Sequence, residues 1–522
     1  MKKPPLTAAD PNFPQGLRRY LYLTAALTGA AILIVEILGA KMLSPYVGTS
    51  HFVWTAQIAT TLIALAAGYY LGGRLVDKSP RLSRLYNCIL WAAVYLSLTI
   101  LLCEPIAYRC LRFNLALGAL LTSALLFFVP LTLLAMVGPF LVRILVPSLA
   151  MVGGQTGRIS AVSTLGSVAG TVLIGYVLIP FLRNSVTMYL TAGLLMALVF
   201  GYYVIWGKKS RQQAGIYVLI LAGLIGGLGG VRREQVKRWA TGEELYRANS
   251  NFGLLQVMQA KGSNRRFYLN DFLVQNTYDP ESKQSLSMFT YMLHDLARAY
   301  TPALKEVLCI GMGVGIVPRQ FAAEGASVDV VEINPAVVPL AEKYFDLPSG
   351  RFNLVIGDGR YFINRSSKKY HAIVLDAFLG ESSPSHLMTK EAFAAMQHIL
   401  RPEGVLVINS FGEFRTGRDF FTASLEKTLR TVFRSVRVHH AGNGNVFFVA
   451  SDQSDLKVLN QPNLEQVHPS CRYQVEAAFD GLTQSDPQHG IVLTDDFNPV
   501  DFYDAANREA IRRHLAASMR TM

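Results

Sequence analysis

"EVLCIGMGVGIVPRQ", residues 306–320, decides how the C-terminal half of this chain is read. An apolar run of strand length passes directly into three glycines, Gly311, Gly313 and Gly315, separated by single residues. Glycine tolerates positive φ and close approach, so such a turn lets a ligand reach the main chain. Alone the triplet is a weak signal that suits NAD, FAD or an adenosine cofactor equally.

The surroundings narrow the choice. Further strand-like runs follow at 327–333, 352–356, 371–377, 404–410, 435–439 and 445–450, with helical patterns in most of the gaps. Seven strands in β–α alternation predict a parallel, doubly wound sheet, and the close-spaced last pair predicts a reversed edge strand. In such sheets ligands bind beyond the carboxyl ends of the strands. An acid stands at three of those ends. Glu332 lies 17 residues after Gly315, where a carboxylate accepts from both ribose hydroxyls. Asp358, in "GDGR" with Gly359, is placed to accept from an adenine amino group or to cap the next helix. Asp376, in "LDAF", stands at the mouth of the sheet, as a reactive acid or another cap. Upstream, "NFGLLQVM" (251–258) and "RRFYLNDFLVQ" (265–275) read as a pair of strands, followed by a helical stretch over 283–299.

This ordered set resembles the S-adenosylmethionine-type nucleoside fold. With the β pair before it, the stretch from about 245 to 450 resembles the spermidine synthase (polyamine aminopropyltransferase) family. The resemblance implies decarboxylated S-adenosylmethionine, or S-adenosylmethionine itself, as co-substrate, an amine acceptor and no metal. It makes Asp376 the catalytic aspartate and puts Gln275 near the nucleoside with the glycines, Glu332, Asp358 and Gly359. Asp271 stands where the aspartate of the family's "LDG" stands.

The departures concern the groups that hold a cationic chain. Val314 replaces the aspartate of the glycine loop, and Phe289-Thr290 and Phe252-Gly253 replace two polar pairs. Leu379 replaces the second acid of the catalytic tetrad. Removing one partner of a buried ammonium costs several kcal/mol, so efficient use of putrescine is not expected. Glu381 is a candidate replacement, and "LTDDFNPVDF" (493–502) brings Asp495 and Asp496, either over the pocket or as a helix cap. His386 and Arg360 flank the site by sequence, or serve the surface.

The N-terminal half is a different material. Residues 1–238 carry 21 Lys/Arg against five acids, a net +16, whereas the remainder carries 28 against 31, a net −3. The basic excess flanks apolar segments, and no nucleic-acid-binding stripe is present. Segments near 20–40, 53–73, 86–104, 114–136, 159–181, 185–206 and 214–231 are apolar enough to cross a bilayer, which takes about 20 residues. This half, through "TGAAILIVEIL" (28–38), resembles the helical domain of membrane-fused bacterial members. The expected fold is a multi-pass helical membrane domain (1–238), a small β domain (239–300) and a Rossmann-like α/β nucleoside-binding domain (301–522).

Sidedness is contested within the sequence. Basic groups before the first segment and after the second and sixth place those ends in the cytoplasm. Seven crossings then put the C-terminal half outside, yet Arg232, Arg233, Lys237 and Arg238 argue that the seventh segment also ends inside. That segment is re-entrant, or a further crossing hides in 137–155; a cytoplasmic catalytic domain on a bacterial inner membrane is the expectation. Glu36, in mid-span, faces an amine or cation site or makes a helix–helix hydrogen bond. Cys88, Cys103, Cys110, Cys309 and Cys471 show no metal or CxxC spacing and fit a reduced compartment.

Three functions compete. The first is transfer of an aminopropyl or similar alkyl group to an amine, polyamine or membrane-associated, by a homodimer at the lipid bilayer. The second is methyl transfer from S-adenosylmethionine. The third is a nucleoside sensor gating a transporter, with "GGRLVDKSPR" (72–81) resembling a major-facilitator loop.

Overall fold

The computed structural model describes residues 13–48, 51–146, 148, 151–207, 211–235, 242–378, 383–440, 442, 444–483 and 488–511. The chain divides into two compact units, Met1–Lys237 and Arg238–Met522.

The first unit is helical: α1 (Gln15–Val47), α2 (His51–Lys78), α3 (Leu82–Cys110), α4 (Leu115–Leu145), α5 (Val152–Phe181), α6 (Asn184–Trp206) and α7 (Arg211–Gln235). All seven are long and apolar enough to cross a membrane. The helices overrun the apolar windows of the sequence because helical hydrogen bonding continues through the charged ends. Residues 137–145 extend α4 and make no separate crossing. Segment seven is one continuous helix of 25 residues, about 37 Å long, so no re-entrant turn interrupts it. One π-helical turn interrupts α4 (Ala124–Phe128) and another α5 (Ile174–Leu178), each just ahead of a proline, Pro130 and Pro180. Proline lacks the N–H of the regular ladder, and the widened turn adjusts the backbone around that gap.

Helices α1 and α5 meet along small residues. A Cβ on Gly166 would lie 2.0 Å from the Ala26 carbonyl oxygen, and one on Gly170 would lie 2.7 Å from that of Ala30. Ser167 Oγ donates to the Gly29 carbonyl at 3.0 Å across the same seam. Small residues let two helix backbones approach this closely. Glu36 is partly buried on α1 and has no hydrogen-bond or ion-pair partner among the described residues, so neither of its two readings is met by a described side chain.

The second unit holds two sheets. The first is antiparallel, in order β1 (Gly242–Ser250), β2 (Gly253–Ala260), β3 (Arg266–Asn270), β4 (Leu273–Asp279) and β5 (Gln284–Ser285). It is larger than the expected pair. "RRFYLNDFLVQ" is itself a hairpin, turning at Asp271 (φ 46°) and Phe272 (φ 65°). Two consecutive positive φ values make the two-residue turn whose twist suits a hairpin. An Asp-Phe pair does not advertise that turn as Asn-Gly would.

After α8 (Met288–Tyr300) the chain alternates β6 (Glu306–Ile310), α9 (Ile316–Ala323), β7 (Ser327–Glu332), α10 (Val337–Tyr344), β8 (Asn353–Ile356), α11 (Gly359–Arg365), β9 (Tyr370–Leu375), α12 (Lys390–Ile399) and β10 (Leu400–Phe411). It ends with α13 (Phe420–Arg430), β11 (Ser435–His440), β12 (Asn445–Ser451), α14 (Arg472–Asp480), β13 (Leu482–Thr483) and α15 (Val500–Tyr503). The strand order is β13-β11-β12-β10-β9-β6-β7-β8. Of the close-spaced last pair the reversed strand is β12, and it lies between β10 and β11 instead of at the edge, which the two-residue β13, antiparallel to β11, forms. A hairpin can insert this way because β12 offers both of its sides to antiparallel neighbours. Central strands are buried on both faces, which is why 307–310 of β6, 372–375 of β9 and 405–408 of β10 read as unbroken apolar runs.

Register positions the site. Ile310 pairs with Val331 and with Leu375, and Leu375 pairs with Ile408. The next residue on each strand, Gly311, Glu332, Asp376 and Asn409, therefore forms one row at the carboxyl edge.

Candidate active site

A cavity of about 250 Å³ opens over that row. Gly311 has φ 94°, and a Cβ there would lie 2.2 Å from the Asp376 carbonyl oxygen. Only glycine lets β6 and β9 stay this close at the turn. Gly313 also lines the cavity, against Asn276 of the small sheet, whereas Gly315 sits behind it on Leu347 as the N-cap of α9. Val314 does not line the cavity. It is 1 % exposed in the apolar core, so its substitution for an acid is read there as a packing residue.

Glu332 Oε2 accepts from the Met312 N–H at 2.9 Å and Oε1 from the Asn334 N–H at 2.7 Å. The carboxylate thus braces the glycine turn as it lines the cavity. Burial pushes its pKa up, and the backbone donors oppose that. Asp358 caps α11 by accepting from the Tyr361 N–H at 2.9 Å, and its other oxygen meets His386 Nε2 at 3.1 Å. Asp358 thus caps a helix and, with Gly359, also lines the cavity.

Asp376 lies between Glu332 and Asn409 in the strand-end row. Asn409 Nδ2 donates to its Oδ1 at 2.9 Å, and Asn445 Nδ2 donates to Asn409 Oδ1 at 3.0 Å. Burial pushes the Asp376 carboxyl up to about 6, against the pull of Asn409. A carboxyl poised there can take a proton near neutral pH.

Gln275 enters through an irregularity. The β3–β4 pairing passes from Tyr268–Asn276 to Leu269–Val274, leaving Gln275 as the extra residue of a bulge. Val274, Gln275 and Asn276 all line the cavity, which regular alternation would forbid.

The other candidates are placed elsewhere. Asp271 is buried in the β3–β4 turn, accepting from the Leu254 N–H at 2.9 Å, and its neighbour Asn270 lines the cavity instead. Asp495 is a clamp: it accepts from Arg360 Nη2 at 2.8 Å and from Thr389 Oγ1 at 2.6 Å. Arg360 also donates to the His386 carbonyl, so the C-terminal segment holds the loop that carries His386. Asp496 is exposed and caps nothing; α15 starts at Val500 behind Pro499. Leu379 and Glu381 lie outside the described residues, and Glu36 belongs to the helical unit.

Sequence reading missed Asn409, Asn445, Asn276 and Asn334, all cavity residues. Asn409 was signalled only by a polar letter ending the apolar run "GVLVIN" (404–409). Four phenylalanines line the cavity, Phe252, Phe289, Phe378 and Phe411, the last two with ring centroids 5.3 Å apart. Among the described lining residues the acids are Glu332, Asp358 and Asp376, and none is Lys or Arg. No group of three or more potential metal ligands occurs among the described residues.

Residues 287–442 match the family of the spermine/spermidine synthase domain. A polyamine aminopropyltransferase of Vibrio vulnificus is 39 % identical over 140 residues, 26 % of this chain and 46 % of that protein. An N-terminal histidine N-methyltransferase of Emericella nidulans is 33 % identical over 150 residues, 28 % of this chain and 26 % of that protein. The chain spans less than half the length of these curated relatives. The crystal structure of spermidine synthase from Thermotoga maritima aligns with a TM-score of 0.38 at 18 % identity, covering 47 % of this chain and 85 % of that one. Within the second unit, residues 287–442 thus match the spermine/spermidine synthase domain, and the chain is similar over part of its length to polyamine aminopropyltransferases.

Proposed function

We propose that this protein transfers an aminopropyl or similar alkyl group from decarboxylated S-adenosylmethionine, or a related adenosyl sulfonium, to an amine. The observation that carries the reading is the row Gly311, Glu332 and Asp376, with nucleoside-type acceptors and a half-buried carboxylate in one cavity. The acceptor reacts as a free base, since an ammonium has no lone pair. Its nitrogen attacks the carbon beside the sulfonium, and a C–N bond forms as the C–S bond breaks. The C–S electron pair stays on sulfur, and methylthioadenosine leaves as a neutral thioether. The surplus proton on nitrogen passes to Asp376, which holds or relays it and stabilises the charge as it develops.

The acceptor we propose is an amine on an apolar body, not putrescine. Among the described lining acids, Glu332 and Asp358 are the ones this reading assigns to the nucleoside, leaving Asp376 to meet an incoming nitrogen. A diamine would bury its second ammonium against phenylalanine rings. A cation–π contact returns about 0.5–2 kcal/mol, whereas a buried, unpaired charge costs several. The seven apolar helices support integration in a lipid bilayer, from which such an acceptor would come. We place the second unit on the cytoplasmic face of a bacterial inner membrane, because Arg232 and Arg233 end α7; with seven crossings this puts the start of α1 on the opposite face, against the basic groups that precede it, and we take the assembly to be a homodimer.

Methyl transfer from S-adenosylmethionine is the second reading, favoured by the N-methyltransferase named among the relatives. One experiment separates the two. Purified protein is offered each donor with putrescine, octylamine and a lipid extract. Methylthioadenosine release with octylamine or extract above that with putrescine is expected. Adenosylhomocysteine would transfer the assignment to methyl chemistry, and binding without either product would favour a nucleoside sensor.

A further inference from the structure

Asn409 sits where two hydrogen bonds fix the direction of an amide. It is 2 % exposed at the carboxyl edge of β10, one residue beyond the Ile408–Leu375 pair. Its Nδ2 donates to Asp376 Oδ1 at 2.9 Å, and its Oδ1 accepts from Asn445 Nδ2 at 3.0 Å. Asn445 opens the reversed strand β12, paired with Phe411. A carboxylate only accepts, while an amide has one donor end and one acceptor end. If Asn409 turned over, its carbonyl would face a carboxylate oxygen and its NH₂ would face the NH₂ of Asn445. Both bonds would be lost at a buried position, so the donor end stays on Asp376.

We propose that the Asn445–Asn409 amide pair is the positioning device of the reacting carboxylate: it fixes Asp376 Oδ1 as an acceptor and leaves Oδ2 to receive the proton from the amine. The proposal rests on the reading of Asp376 as proton acceptor. Asn409 takes no proton itself and acts only through Asp376. The inserted position of β12 gains a role here, since a reversed strand at the sheet edge would not bring Asn445 beside β10. A donor on the charged form favours that form, so the pair counters the burial that raises the Asp376 pKa.

The test uses two readouts on the full-length protein. The first is isotope-edited infrared titration of aspartate-labelled protein, with the Asp376 band assigned by Asp376→Asn. Asn409→Leu should move that titration up by about one pH unit, and Asn445→Ala in the same direction by less. The second is product release from the adenosyl sulfonium donor with octylamine, taken as the variant-to-wild-type ratio across pH. The Asn409→Leu ratio should be about fivefold down at pH 6 and recover towards one at pH 9, as titration of one carboxyl requires. A pH-independent loss would mark a merely structural residue and overturn the proposal. An unmoved Asp376 titration in both variants would overturn it as well. Since the infrared readout needs no turnover, a shifted band in a protein that releases no product would support the amide pair while sinking the transferase reading.

Discussion

Glu332 and Asp358 each receive two donors, from backbone N–H groups and His386, and each holds a piece of local structure together. Asp376, in the same cavity, has one described donor, the Asn409 amide, and the Phe378–Phe411 ring pair begins two residues beyond it. The first pair are acids engaged in fixed hydrogen bonds to local structure. The other is an acid held near its titration point and suited to a change of state. The difference lies in the number of donors and in the surroundings, since all three are carboxylates of similar intrinsic acidity.

The comparison can be broken in order of expected effect. Asp376→Asn removes the proton acceptor and should lower turnover about 10³-fold, within the range for positioned acid–base groups, with donor affinity kept in calorimetry. The same variant tests the cost of the site. Burial raises the folded-state pKa of Asp376 to about 6, above the ~3.9 of an unfolded aspartate. Its contribution to stability is therefore complete below pH ~4 and is lost as pH rises through 6. Asp376→Asn should accordingly raise the melting temperature of the soluble unit at pH 8 and change it little at pH 4. An equal effect at both values would refute the raised pKa.

Glu332→Gln probes the opposite arm. It replaces charge-assisted bonds on a buried brace and should weaken donor binding about 10–100-fold, with turnover at saturating donor nearly unchanged. Should turnover fall as far as in Asp376→Asn, the two acids would not have separate tasks. Asp495→Asn should have the smallest effect. Its ion pair with Arg360 is half exposed, and such pairs contribute about 0–1 kcal/mol. A donor KM raised no more than about threefold is expected.

Legibility follows the length scale of each cause. Strands β6, β7, β9 and β10 were readable because both faces are buried, and the acids that follow them were readable because strand ends are where such sheets bind. The seven helices were readable because apolar length is a one-dimensional property. What was hidden depends on neighbours far apart in sequence. Asn409 acquires meaning only beside Asp376 and Asn445, 33 and 36 residues away. The insertion of β12 is a pairing choice that no single strand announces. Asp271 and Phe272 form their turn without glycine, so one strand was expected where the structure has two. Asp495 reads from sequence as a pocket acid or a helix cap, and its clamp on Arg360 is hidden because that partner lies 135 residues earlier.

The bulge at Gln275 bears on how such a cavity can change. Three consecutive residues of β4 reach the cavity because one residue is surplus to the pairing with β3. Removing that residue would restore strict alternation, so the residues now flanking the bulge could no longer both face the cavity. The wall is thus set by chain length as well as by side-chain identity. Exchanging letters at 274, 275 and 276 retunes a surface that exists, whereas losing or gaining one residue there would replace it with another.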